Sequence, residues 1–164
     1  MEPNYVQKGL ECLERARKMD LSSGFSGSST THYEMMAWLY FGLGDWDAAQ
    51  RCAEEGLEWA RDHGARDCEG VLNTTLGSAL AKADRTQATR GEKFILQGIK
   101  ILERLRLKAY YAQGYLALGG LYTDDGQKEK ALKALRKAKR MFKEMGMERG
   151  LARTEKALER LKAS

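Results

Sequence analysis

The chain has 164 residues, 43% of them apolar and 31% charged, with one proline, Pro3, and a net charge of +5. That length suffices for one domain with its own core or for a short array of stacked units, and the composition favours helices over a sandwich, a barrel or a disordered chain. The charge is uneven: residues 100–164 hold 17 Lys+Arg against 8 Asp+Glu, whereas residues 1–99 hold 11 against 15.

From the N-terminus, apolar residues at helical spacing predict a helix over residues 3–19, with Gly9 and Ala16 seven apart. The Gly- and Ser-rich DLSSGFSGSSTT, residues 20–31, is expected to be the most flexible connection. Helices follow over 29–43 and 46–63, separated by Gly44, a residue tolerant of the left-handed conformation that ends helices. Two more, 66–82 and 88–105, are joined by KADRTQATRG, which lacks such a Gly; an irregular connection is expected there, with Asp84 or Thr86 as a cap. Helices 109–124 and 128–145 meet at Gly126, and 148–162 is the last.

These elements are copies of one unit. The pairs Gly9/Ala16, Ala49/Gly56, Gly91/Gly98 and Ala131/Ala138 recur at offsets of 40, 42 and 40. Leu13, Ala53, Ile95 and Leu135 follow four residues after the first member, and Met19, Trp59, Ile101 and Met141 ten after it, so one apolar stripe is kept. In the alternate helices Met36, Leu76, Leu118 and Leu158 share a register and precede Ala37, Gly77, Gly119 and Glu159. Small residues let a partner helix lie at the low end of the usual separation of roughly 8–10 Å. The charged Glu159 suits a terminal helix with no successor. The reading is a single domain over 1–164: a half unit at 3–19, units at 29–63, 66–105 and 109–145, and a terminal helix at 148–162.

Leu118-Gly119, Tyr122, Gly126, Ala131 and Ala138 together resemble the tetratricopeptide repeat, a helix-turn-helix unit with a Trp-Leu-Gly-Tyr...Ala...Ala signature. Tyr33 and Tyr115 stand where Trp is common, Leu80 replaces an aromatic, and no Pro closes a unit. The period of 40 to 42 is similar to the long-repeat variety found in kinesin light chains, polarity adaptors and large bacterial signalling proteins carrying an ATPase, cyclase or transcription-activator module. The closing MFKEMGMERGLARTEKALERL looks most like the end of that bacterial class. The resemblance implies an all-α, right-handed superhelical α-α solenoid of about eight antiparallel helices and a piece of a larger protein. In that case helix 3–19 is expected to keep an apolar face for an upstream repeat or a neighbouring molecule. The cysteine pattern and the lack of a membrane-span or leader-like run lead to the expectation of a cytoplasmic location.

The resemblance also implies a concave groove lined by the first helix of each unit. Carried over one by one, its positions are Thr31, Glu34, Trp38 and Phe41; Val71, Thr74, Ser78 and Lys82; Gln113, Leu116, Gly120 and Thr123; and Arg153, Lys156 and Arg160. One end is aromatic and acidic, the middle small and polar, the far end cationic. A peptide with a basic or aromatic portion near Glu34 and Trp38 and an acidic portion near Arg153, Lys156 and Arg160 is complementary. Trp46 and Trp59 are expected to be packing residues. The carboxylate clamp of chaperone-binding arrays is absent, because its positions read Glu34/Trp38, Thr74/Ser78 and Leu116/Gly120. The expected function is a non-catalytic protein–protein interaction module. The alternatives are an oligomerisation element stacking end to end through its terminal helices and a sensor domain holding a small effector in an enclosed pocket.

Catalytic and metal chemistry find no support. HExxH, GxSxG and a phosphate loop are missing, and TDDG lacks calcium-loop spacing. Cys12, Cys52 and Cys68 are widely spaced with only His32 and His63 to join them, so neither a metal site nor a Cys-His nucleophile is expected, and no cofactor. No apolar run approaches the roughly 18 residues of a membrane span. The lysines of helix 128–145 spread around it as on a solvated face, and nucleic acid is not expected as a partner.

Overall fold

The computed structural model describes residues 3–23 and 29–163, with side chains from Val6 to Met19 and from Thr30 to Ala163. Among them lie eight α-helices: α1 (Pro3–Ser23), α2 (Ser29–Leu43), α3 (Trp46–Asp62), α4 (Arg66–Ala83), α5 (Ala88–Arg104), α6 (Lys108–Asp124), α7 (Lys128–Glu144) and α8 (Glu148–Ala163). The bounds agree with the sequence reading to within one residue except at α1. That helix continues to Ser23, because no Gly or Pro interrupts the chain before Gly24, so most of the connection expected over 20–31 is helical. Residues 24–28 lie outside the described residues.

Apolar side chains gather on one face of α3, α5 and α7 but are spread around α2, α4 and α6. The difference follows from their packing. Each helix packs on its neighbours in sequence, and α2, α4, α6 and α8 also touch side by side, whereas α3, α5 and α7 do not touch one another among the described residues. An inner helix therefore needs several buried faces and an outer one needs a single stripe. The result is an all-α solenoid.

The small residues sit where helices meet. Ala49, Ala131 and Ala138 are fully buried, and a Cβ on Gly56, Gly119 or Gly150 would press into Tyr33, Leu135 or Phe142 respectively. The tightest approach is between α4 and α5. Gly77 lies against the backbone of Gly91, and a Cβ on Gly98 would stand 2.5 Å from the Gly70 carbonyl oxygen. Gly9 differs: nothing lies within 4 Å of its Cβ position, so no helix of the described residues uses that gap.

Five inter-helix turns share one closure, in which a residue one or two past the helix takes a positive φ and the next amide reaches back to a carbonyl five residues earlier. Gly44, Gly64, Gly126 and Gly146 fill this position, with Asp45 N to Tyr40 O at 3.1 Å and Met147 N to Phe142 O at 2.9 Å as two examples. In the fifth, Arg106 adopts φ 58° and the Leu107 amide donates to the Leu102 carbonyl at 3.0 Å. A side chain is strained in that conformation. Arg106→Gly is expected to stabilise the protein by about 1 kcal/mol, read from its urea unfolding midpoint. The α4–α5 connection lacks this closure, as expected. Asp84 accepts from the Thr86 amide at 2.8 Å and from its hydroxyl at 2.7 Å, capping a 3-10 turn over Arg85–Gln87 that leads into α5.

The terminal helices carry mostly charged residues on their exposed sides. On α1, Val6 and Leu10 are buried on the side of α2, while Lys8, Glu11, Arg15 and Lys18 are exposed. Val6 and Leu10 are thus taken up by α2, whereas Leu13 is half-buried and Cys12 exposed. Met19, predicted in the apolar stripe, is 69% exposed. On α8 the outward residues are Arg153, Glu155, Lys156, Glu159 and Arg160.

Candidate functional site

Because α2, α4, α6 and α8 lie side by side, their exposed faces form one concave surface, and a cavity of about 400 Å³ opens on it. Glu34, Met35, Trp38 and Phe41 reach it from α2. Val71, Thr74, Ser78 and Lys82 reach it from α4, Gln113, Leu116 and Gly120 from α6, and Arg153 from α8.

Four of the anticipated residues stand elsewhere. Thr31 is exposed at the start of α2, and Lys156 is exposed on α8; neither lines the cavity. Thr123 turns its hydroxyl onto its own helix, donating to the Gly119 carbonyl at 2.8 Å. Arg160 lies beyond the rim, its guanidinium 3.8 Å from the Asp124 carboxylate. The cavity also includes residues the sequence reading omitted, among them Met35, Tyr110 and Asp124. Extending the α6 register by one turn in each direction, from Gln113 back to Tyr110 and from Gly120 on to Asp124, finds two of them.

The electrostatics differ from the anticipated gradient. At the far end Lys82 pairs with Asp124, which Arg160 also approaches, and Arg153 reaches Gln113 at 3.5 Å. Asp125 adds a further carboxylate and Arg85 a further cation, so acidic groups stand among the cations there. In the middle, the Thr74 hydroxyl donates to the Val71 carbonyl at 2.7 Å and the Ser78 hydroxyl to the Thr74 carbonyl at 2.8 Å. Their protons are spent on their own helix, which makes the floor less polar than its composition.

At the opposite end Glu34 is half-buried. Burial raises its carboxyl pKa, the Cys68 thiol donates a hydrogen bond to it, and nearby Asp67 raises the pKa further. Tyr110 faces the same carboxylate, and its phenol pKa is raised chiefly by Glu34. Met35, Trp38 and Tyr110 are 48%, 54% and 47% exposed around it. Trp46 tilts against Phe41 with ring centroids 5.0 Å apart, and Trp59 stacks on His63 at 4.1 Å, so both make packing contacts.

Burial pushes the Cys52 and Cys68 thiols up to about 11, which leaves them protonated and poorly nucleophilic at neutral pH. No group of three His, Cys, Asp or Glu among the described residues could hold a metal ion. No helix of the described residues is long and apolar enough to cross a membrane. On the outer helix α7, Lys137 pairs with Glu103 and lies over the Tyr115 ring, and Lys139 pairs with Glu155 at 2.8 Å. Part of the lysine excess is thus engaged within the fold.

A solenoid of helix pairs with a concave inner face defines a helical-repeat protein. More narrowly, the model of the tetratricopeptide repeat family matches residues 33–63 and 112–144. Such repeats generally mediate protein–protein interactions and are typically non-catalytic. Among solved structures the fold is similar to that of BtubC (BKLC) from P. vanneervenii, at 16% identity and a TM-score of 0.57, over 99% of this chain and 82% of that one. No curated protein matches the chain.

Proposed function

We propose that the chain is a non-catalytic, peptide- or protein-binding module whose recognition surface is the concave face of α2, α4, α6 and α8. The observation that carries this reading is the cavity itself, where side chains from four successive inner helices meet and Trp38 is left 54% exposed although it is an aromatic residue in a concave site. Large aromatics held open in a depression are what anchor a partner. The partner is a protein segment, and another domain of a longer chain would serve equally.

Panning a random peptide library against the protein tests this reading. The expected binders lose at least tenfold in affinity to Trp38→Ala and to Leu116→Glu, and keep it with Lys133→Glu on α7. Peptides that bind all three variants alike would overturn the groove assignment. End-to-end stacking has less support, because α1 and α8 turn mostly charged side chains outward. Sedimentation over a range of concentrations separates the readings, since stacking requires association without any peptide.

A further inference from the structure

Resting on the groove reading, we infer that the α2 end of the cavity receives an arginine side chain of the bound peptide, with Glu34 as counter-ion and the exposed rings of Trp38 and Tyr110 as its walls. Charge complementarity argues for it. At the far end opposite charges stand together, Lys82 and Arg160 with Asp124, but the groups acting on the Glu34 carboxylate are Cys68 and Asp67, a thiol and another acid. Among the described residues no cation pairs with Glu34. A half-buried carboxylate in that setting is disfavoured until a positive group arrives.

The surroundings select the kind of cation. Met35, Trp38 and Tyr110 line the cavity beside Glu34, are about half exposed, and offer apolar surface and aromatic faces instead of further hydrogen-bond acceptors. A guanidinium suits these neighbours because it is weakly hydrated, stacks on rings and can engage a carboxylate with two parallel hydrogen bonds. An ammonium would have to give up tightly bound water with fewer acceptors to replace it. Glu34 sits near the start of the inner row of helices, so it also fixes which end of an extended peptide lies there.

The test uses heptapeptide libraries with the central residue fixed as Arg, Lys, Leu or Glu, capped at both ends and panned against the whole chain. The arginine library is expected to be the most enriched, and its best peptides to lose ten- to hundredfold in affinity to Glu34→Gln and about tenfold to Trp38→Ala. Their affinity is also expected to fall with pH before ordinary carboxylates titrate, because protonation of Glu34 removes the counter-ion; Asp67, Cys68 and Tyr110 are the other titratable groups facing it. Glu34→Gln alone is expected to raise the unfolding temperature near neutral pH, since it removes a desolvated charge with no cationic partner. Equal binding of wild type and Glu34→Gln, or preference for the leucine or glutamate library, overturns the arginine assignment. If those preferred peptides still depend on Trp38 the groove reading survives, and if no library binds in a Trp38-dependent way both fall.

Discussion

Gly77→Ala is expected to destabilise the protein by about 3 kcal/mol and to broaden its urea transition, although alanine is the better helix former. In an open helix the exchange gains about 1 kcal/mol. Here the new Cβ would meet the Gly91 carbonyl oxygen and stand 2.9 Å from the Ile95 amide nitrogen. Both are backbone atoms, so no rotamer change relieves the overlap and α4 and α5 must separate. Because they lie mid-array, separating them weakens the coupling between α1–α4 and α5–α8, and a repeat array that loses a neighbour interface loses cooperativity. Gly98→Ala, directed at the Gly70 carbonyl oxygen, is expected to behave the same way. Gly9→Ala is the control: with nothing within 4 Å it is expected to stabilise by about 0.5–1 kcal/mol. Equilibrium denaturation of the three variants checks the opposite signs.

Phe142→Ala is expected to cost about 3–5 kcal/mol, as for other fully buried aromatics. The ring is fully buried, clustered with Ala112, Ala138 and Met141 where α6, α7 and α8 converge. It is also the reason position 150 is glycine, since a Cβ there would lie 2.5 Å from the Phe142 Cδ1. Gly150→Ala alone is therefore expected to destabilise by about 1–3 kcal/mol. In the Phe142→Ala background the same change enters vacated space, and its cost is expected to fall to near zero or reverse. A double-mutant cycle measured by urea unfolding reads this coupling. Additive costs would mean that the two side chains do not share that volume.

The repeat was legible because the requirement for close helix approach imposes small residues at a fixed period, and because Gly44 and Gly126 mark turns that strain other residues. Arg106 hid the same turn: its left-handed backbone is held by neighbouring hydrogen bonds, and nothing in an arginine announces it. The length of α1 was missed because Gly and Ser content over 20–31 was read as one loop, when the breakers begin only at Gly24. Of the groove, the residues on the shared inner stripe were readable from the register. The pairing of Lys82 with Asp124 was available in principle, since the two lie 42 residues apart, one full period, at equivalent places on successive inner helices. What no single-helix pattern carries is the mixing of charges that follows, because it depends on which opposite charges adjacent units bring to the same rim. Tyr110 illustrates the same limit: its proximity to Glu34 joins the first turn of α6 to the middle of α2.

The Gly77–Gly91 contact also has a mechanical consequence. Helices that meet through long side chains can shear past one another by small rotamer adjustments. Where two backbones touch there is nothing to adjust, so α4 and α5 move as one stiff plate. Bending or stretching of the solenoid is then confined to the interfaces on either side of that plate. A ligand that widens the groove is expected to do so by swinging α2 or α6 against α4, and because Tyr110 and Asp124 both stand on α6, a swing of α6 opens the Glu34 end and the Asp124 end together.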